Sequence, residues 1–223
     1  MNLLDFFEKT IVVTGHYGAG KTNLSINLAV DLKKRGEDIT LADLDIVNPY
    51  FRSADFKTGA MEQEIGFIVS DYANTNVDIP AINPALEAKI SLPGILLIDV
   101  GGDDAGARAL GGYAQRIMEK PYTMLYVVNA RRYLIREASA AAALLAEIEA
   151  ASRMKATHIV NNTHLAAETS AADVLASAAY AKNIAEAAGI PLAFTSVRRD
   201  LYESLPDKTG YHPVDIYVKT PWM

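Results

Sequence analysis

The chain has 223 residues, 50% of them hydrophobic, a net charge of -6 and no cysteine. That length buries a full core and suits one α/β domain over residues 1–223. The missing thiols exclude disulfides, thiolate metal sites, cysteine-ligated iron–sulfur clusters and cysteine nucleophiles, and the acidic balance makes nucleic acid an unexpected partner.

The opening stretch MNLLDFFEK has neither a basic leader nor a long apolar core. No uncharged apolar run reaches the roughly 18 residues of a membrane-spanning helix, so a cytoplasmic location and no membrane helix are expected. Residues 10–14 are rich in β-branched side chains and predict a buried strand, while over 22–35 Leu24, Ile26, Leu28, Ala29 and Leu32 recur at roughly helical spacing. Between them Gly15, His16, Tyr17, Gly18, Ala19, Gly20, Lys21 and Thr22 spell G-x-x-x-x-G-K-[ST]. On a strand-loop-helix turn the glycines let backbone N–H groups close around a polyphosphate, and the helix N-terminus adds favourable partial charge. Lys21 is then expected to reach the β- and γ-phosphates, and the Thr22 hydroxyl to ligate Mg2+.

The strand predicted at 38–43 leads into Asp43-Leu44-Asp45, two carboxylates at alternate positions. They suit a phosphate site, one near Mg2+ and one positioning a water, and read equally as a solvated strand end turning at Asn48-Pro49. Strands follow at 65–69 and 94–99. The second ends in Asp99-Val100-Gly101-Gly102, as a Walker B strand does, with Gly102 free to bring a backbone N–H toward a γ-phosphate. Further strands are predicted at 124–128, 157–160, 191–194 and 214–218, Ala-rich helices at 133–152 and 170–188, and a turn at 210–213. Alternating strands and helices imply an α/β fold, a largely parallel sheet with helices on both faces and ligands at the carboxyl ends of the strands.

Taken together, these motifs resemble the MinD/ParA branch of P-loop ATPases, within the CobQ/CobB/MinD/ParA nucleotide-binding family. Its relatives include the iron protein of nitrogenase and maturation ATPases for nickel and iron–sulfur enzymes. The shared parts are the early G-x-x-x-x-G-K-T, the D-x-D at Asp43 and Asp45 and the D-x-G-G at Asp99, about the first half of the chain. The resemblance implies a P-loop NTPase fold with ATP and Mg2+ as cofactors. Lys21 would hold the phosphates and Thr22 the metal, Asp45 would orient the attacking water beside it, and Asp99 would support Mg2+ through water. The loop from Gly15 to Thr22 and Gly102 would surround the phosphates, and Asn161 would read the adenine edge. The guanine pattern N-K-x-D is not met, because His164 stands where its Asp would be.

The implied function is a switch that hydrolyses ATP slowly to ADP and reports its state to an unidentified protein partner, with an ATP-dependent homodimer as a further association to consider. Two alternatives stay open. One is a phosphotransferase of dethiobiotin-synthetase-like type, with an acceptor pocket from residues 48–52 and 101–105, and the other is a non-hydrolysing ATP-binding adaptor.

One departure stands out. Members with a deviant P-loop carry a Lys after the first Gly that reaches a partner subunit's phosphates, and here that place is His16. Arg52, Arg131 or Arg132 is the substitute cation to consider, and Tyr17 packs against the nucleotide or an opposing subunit. Arg131, Arg132 and Arg136 fall at the start of the helix predicted from 133, unfavourably placed for its dipole and suited to an anion or a partner's carboxylates. Arg198-Arg199 contacts base or ribose, or is a plain surface pair. His158, His164 and His212 lack metal-ligand spacing, and residues 217–223 are too short and too poor in periodic apolar residues for a membrane-targeting helix.

Overall fold

The computed structural model describes residues 5–45, 64–69, 83–102, 104–164 and 169–218. Eight strands form one sheet: β1 (Thr10–Gly15), β2 (Ile39–Leu44), β3 (Gly66–Val69), β4 (Ile95–Val100), β5 (Tyr122–Val128), β6 (His158–Asn161), β7 (Leu192–Arg198) and β8 (Tyr211–Val214). Their spatial order is β3-β2-β4-β1-β5-β6-β7-β8, and every neighbouring pair is parallel.

The central strands are apolar throughout because both faces are covered. Alternate residues serve opposite cores. Val12, Ile98, Met124 and Tyr126 share one cluster with Leu110, Leu145 and Ile184, whereas Ile11, Val13, Leu97 and Leu125 share the other with Leu24, Leu28 and Leu32. The second cluster is closed by α1 (Lys21–Lys34). The first is closed by helices that follow β3 and later strands: α2 (Pro84–Ser91), α3 (Asp104–Gly111), the single turn α4 (Ala114–Ile117), α5 (Ala138–Ser152) and, after the short α6 (Ala171–Ala176), α7 (Ala178–Ala188). A last turn, α8 (Arg199–Tyr202), precedes β8.

The structure revises several boundaries. The helix expected at 133–152 opens as a 3-10 turn over Tyr133–Ile135, and α5 begins only at Ala138. Arg131 and Arg132 therefore sit on the loop leaving β5, away from the helix N-terminus to which sequence spacing assigned them. The helix expected at 170–188 breaks at Ser177, whose hydroxyl back-bonds to Val174 O at 2.7 Å and competes with the helical ladder. The last described strand is Tyr211–Val214, where a turn was expected, and Pro213 is tolerated because β8 is the edge strand of the sheet among the described residues.

Residues 215–218, expected as strand, instead pair with side chains of α1. Asn23 Nδ2 and Asn27 Nδ2 donate to Asp215 O at 3.0 and 2.8 Å. Asn27 Oδ1 accepts from Asp215 N, and Asn23 Oδ1 from Tyr217 N and Val218 N.

Candidate functional site

β1 and α1 are joined by residues 16–20, at the carboxyl end of the sheet where β1 lies between β4 and β5. Gly20 ends this loop as the N-cap of α1 at φ 87, and a Cβ there would fall 2.3 Å from Asn162 Nδ2. Only glycine fits both the left-handed backbone and that close approach. The loop closes on itself through Ala19 N to His16 O at 3.1 Å, and buried Lys21 donates from Nζ to the same carbonyl at 3.1 Å. His16 Nδ1 lies 2.6 Å from Tyr17 O, and Tyr17 is exposed.

The next turn of α1 meets the end of β4. Thr22 Oγ1 donates to Asp99 Oδ2 at 2.7 Å and Ser25 Oγ to Asp99 Oδ1 at 3.1 Å. Asp99 faces Asp43 across the β2–β4 register. Its carboxyl is pushed up to about 7, first by burial and then by the charge of Asp43, against the Thr22 hydrogen bond, the Lys21 charge and the Ser25 hydrogen bond. Asp45, half-buried just past β2, donates its N–H to Asp43 Oδ1 at 2.8 Å. Gly102 comes up against the loop: a Cβ on it would lie 2.6 Å from Tyr17 N and 2.7 Å from Lys21 Nζ. Lys21, Thr22, Asp99, Gly102 and the loop thus converge as sequence spacing suggested. Glycine N–H groups, an ammonium, and a hydroxyl beside a buried carboxylate form a donor set that fits a polyphosphate and its Mg2+.

Residues 10–162, which carry all of these groups, match the family described as the CobQ/CobB/MinD/ParA nucleotide binding domain. The chain belongs to that family.

Solved structures share this fold. Chloroplast FtsY from Physcomitrella patens aligns with TM-score 0.56 at 16% identity over 87% of this chain and 60% of its own. Cell division protein FtsY from Thermotoga maritima aligns with TM-score 0.54 at 19% identity, covering 84% and 61%. The signal recognition particle 54 kDa protein from Aeropyrum pernix K1, in complex with GDP, aligns with TM-score 0.57 at 17% identity, covering 87% and 43%. The chain thus spans about three fifths or less of the length of these proteins. No curated protein matches the chain.

For a CobQ/CobB/MinD/ParA domain, the end of β6 separates two neighbouring asparagines. Asn161, expected at an adenine edge, is fully buried and its amide is used within the fold. Nδ2 donates to Ser177 Oγ at 2.8 Å and Thr195 Oγ1 at 3.3 Å, and Oδ1 accepts from Thr163 N and Oγ1. The neighbour Asn162 faces the site instead, its Nδ2 donating to Ala19 O at 2.7 Å while Oδ1 accepts from Ser196 Oγ. The Asn-Asn pair was visible in sequence, but not which member turns toward the loop. His164 stands near Gly20, its imidazole pulled down in pKa by burial and then by the charges of Arg132 and Arg198.

The candidate cations part company. Arg131 pairs with Asp173, Arg132 lies against the loop, and Arg52 falls outside the described residues. Arg198 binds Asp200 and Arg199 binds Asp215, as a surface pair would. Of the acceptor pocket considered for a phosphotransferase, residues 48–52 and Asp103 also lie outside the described residues. No described helix is long and apolar enough to cross a membrane.

Proposed function

We propose that the chain, residues 1–223, is one nucleotide-binding domain that takes Mg2+-ATP, hydrolyses it slowly in the cytoplasm and signals its nucleotide state to a protein partner. The observation that carries this reading is the meeting of Lys21 and Thr22, at the head of α1, with buried Asp99 at the end of β4. ATP is preferred to GTP because the segment from Asn161 to His164 offers no carboxylate for a guanine edge.

Bound Mg2+-ATP supplies the reactive γ-phosphoryl group. Lys21 and the loop N–H groups hold the phosphates, and their fixed charge is already in place when negative charge shifts during the reaction. Thr22, which now donates to Asp99, would hold the metal through its hydroxyl, and Asp99 would support it through water. Asp45 positions the water that attacks in line.

The test is thermal melting with and without Mg2+-ATP. A ligand at 100 times its dissociation constant adds about 2.7 kcal/mol, a shift of roughly 5 to 10 °C at this size. Lys21→Ala is expected to lose most of that shift, and equal behaviour of wild type and variant would end the phosphate assignment.

A further inference from the structure

Two consecutive arginines follow β5 and do different work. Arg131, largely exposed, donates to Asp173 in the capping box of α6. Arg132 turns to the phosphate loop. Its Nε donates to Gly18 O at 2.6 Å, and a Cβ built on Gly18 would fall 2.9 Å from its Cζ and 3.2 Å from Nη1. Among the described residues, no carboxylate stands within ion-pair distance of it.

This placement has a built support. Buried Asn129 accepts the N–H of Arg131 through Oδ1 and that of Arg132 through its carbonyl, both at 3.0 Å. Asn129 Nδ2 donates to His164 O at 3.1 Å, and Ala130 N to Thr163 Oγ1 at 3.0 Å. The segment that carries Arg132 is thereby tied to the end of β6, beside the loop it touches.

One guanidinium N–H is spent on Gly18 and four remain. An arginine supplied in cis to a P-loop is a known device for stabilising transferring phosphate charge. We infer that Arg132 is such an arginine, contacting the terminal phosphate from within the same chain and supplying the cation that position 16 lacks. The inference rests on the nucleotide reading above. It implies a preference for triphosphate over diphosphate that does not depend on a second subunit.

The test is titration of full-length protein with fluorescent ADP and a fluorescent non-hydrolysable ATP analogue, both with Mg2+, for wild type, Lys21→Ala, Arg131→Ala, Arg132→Ala and Arg132→Lys. Melting of each variant without nucleotide controls for folding. Losing a charge-assisted contact to phosphate is expected to weaken analogue binding by Arg132→Ala about tenfold or more. ADP should change little, Arg132→Lys should recover part of the loss, and Arg131→Ala should bind as wild type.

An equal loss for both nucleotides would make Arg132 a loop cap only, and overturn the inference. So would unchanged analogue binding by Arg132→Ala, or its rescue on mixing with Lys21→Ala, which still carries Arg132 and would act in trans. If Lys21→Ala fails to bind while Arg132→Ala binds normally, the arginine inference falls alone. If wild type binds neither nucleotide, the nucleotide reading falls and takes the inference with it.

Discussion

Thr22 Oγ1 donates to Asp99 Oδ2 at 2.7 Å, joining the first turn of α1 to a carboxyl 77 residues away. The hydroxyl proton is committed to an acid that burial and Asp43 push up to about 7. A divalent cation would reverse that balance, because its charge favours the carboxylate and takes over the Thr22 oxygen.

A pH dependence follows from the raised pKa. With the folded value near 7 and the ordinary value of 3.8, the folded state binds a proton more tightly than the unfolded chain. The stability linked to that proton is complete below about pH 4 and is lost as pH rises toward about 7, by an amount on the order of a few kcal/mol. Asp99→Asn holds no such proton. In metal-free buffer its melting temperature, measured relative to wild type at a series of pH values, is expected to climb between pH 4 and 8. A difference that stays flat would mean that Asp99 is an ordinary acid.

Asn162 and Asn161 are separable by substitution. Each is buried and multiply bonded, so replacing either with Ala should cost about 1–3 kcal/mol in denaturant unfolding. Only Asn162→Ala frees the Ala19 carbonyl from its donor. Nucleotide affinity is therefore expected to fall with Asn162→Ala and to stay within about twofold with Asn161→Ala, since a twofold change is under 0.5 kcal/mol. The reverse ranking in a titration would restore Asn161 as the base contact.

Asp45 tests the chemistry apart from binding. Asp45→Asn alters the orientation of water more than ground-state phosphate contacts, so turnover should drop while the dissociation constant for Mg2+-ATP holds. Phosphate release from wild type and variant at saturating ATP is the measurement, and equal rates would move the water-positioning role elsewhere.

His16 tests the subunit question. Its imidazole rests by Tyr17 O at the half-exposed edge of the loop. Asp45→Asn protein is expected to sediment as a monomer with ATP. Adding His16→Lys should shift it toward a dimer, through a charge-assisted contact to the partner's phosphates. A tight ATP-dependent dimer without the added Lys would show that the native loop already closes across two subunits.

Local pattern alone determined the phosphate loop, the strand ending at Asp99 and most of the parallel sheet, because a β-branched run, a glycine pair or an apolar period acts within a few residues of chain. Long-range packing settles choices that lie one residue apart in the local pattern. Asn161 or Asn162 and Arg131 or Arg132 are chemically equivalent pairs in a string of letters. Successive residues leaving a strand point to opposite sides, so the choice within each pair depends on how β5 and β6 are set against each other, with Asn161 beside Val128. The same holds at residues 215–218, whose strand-like sequence joins no strand among the described residues. Asn23 and Asn27 satisfy their backbone instead, from a helix nearly two hundred residues earlier in the chain, and no local preference signals a bond made at that distance.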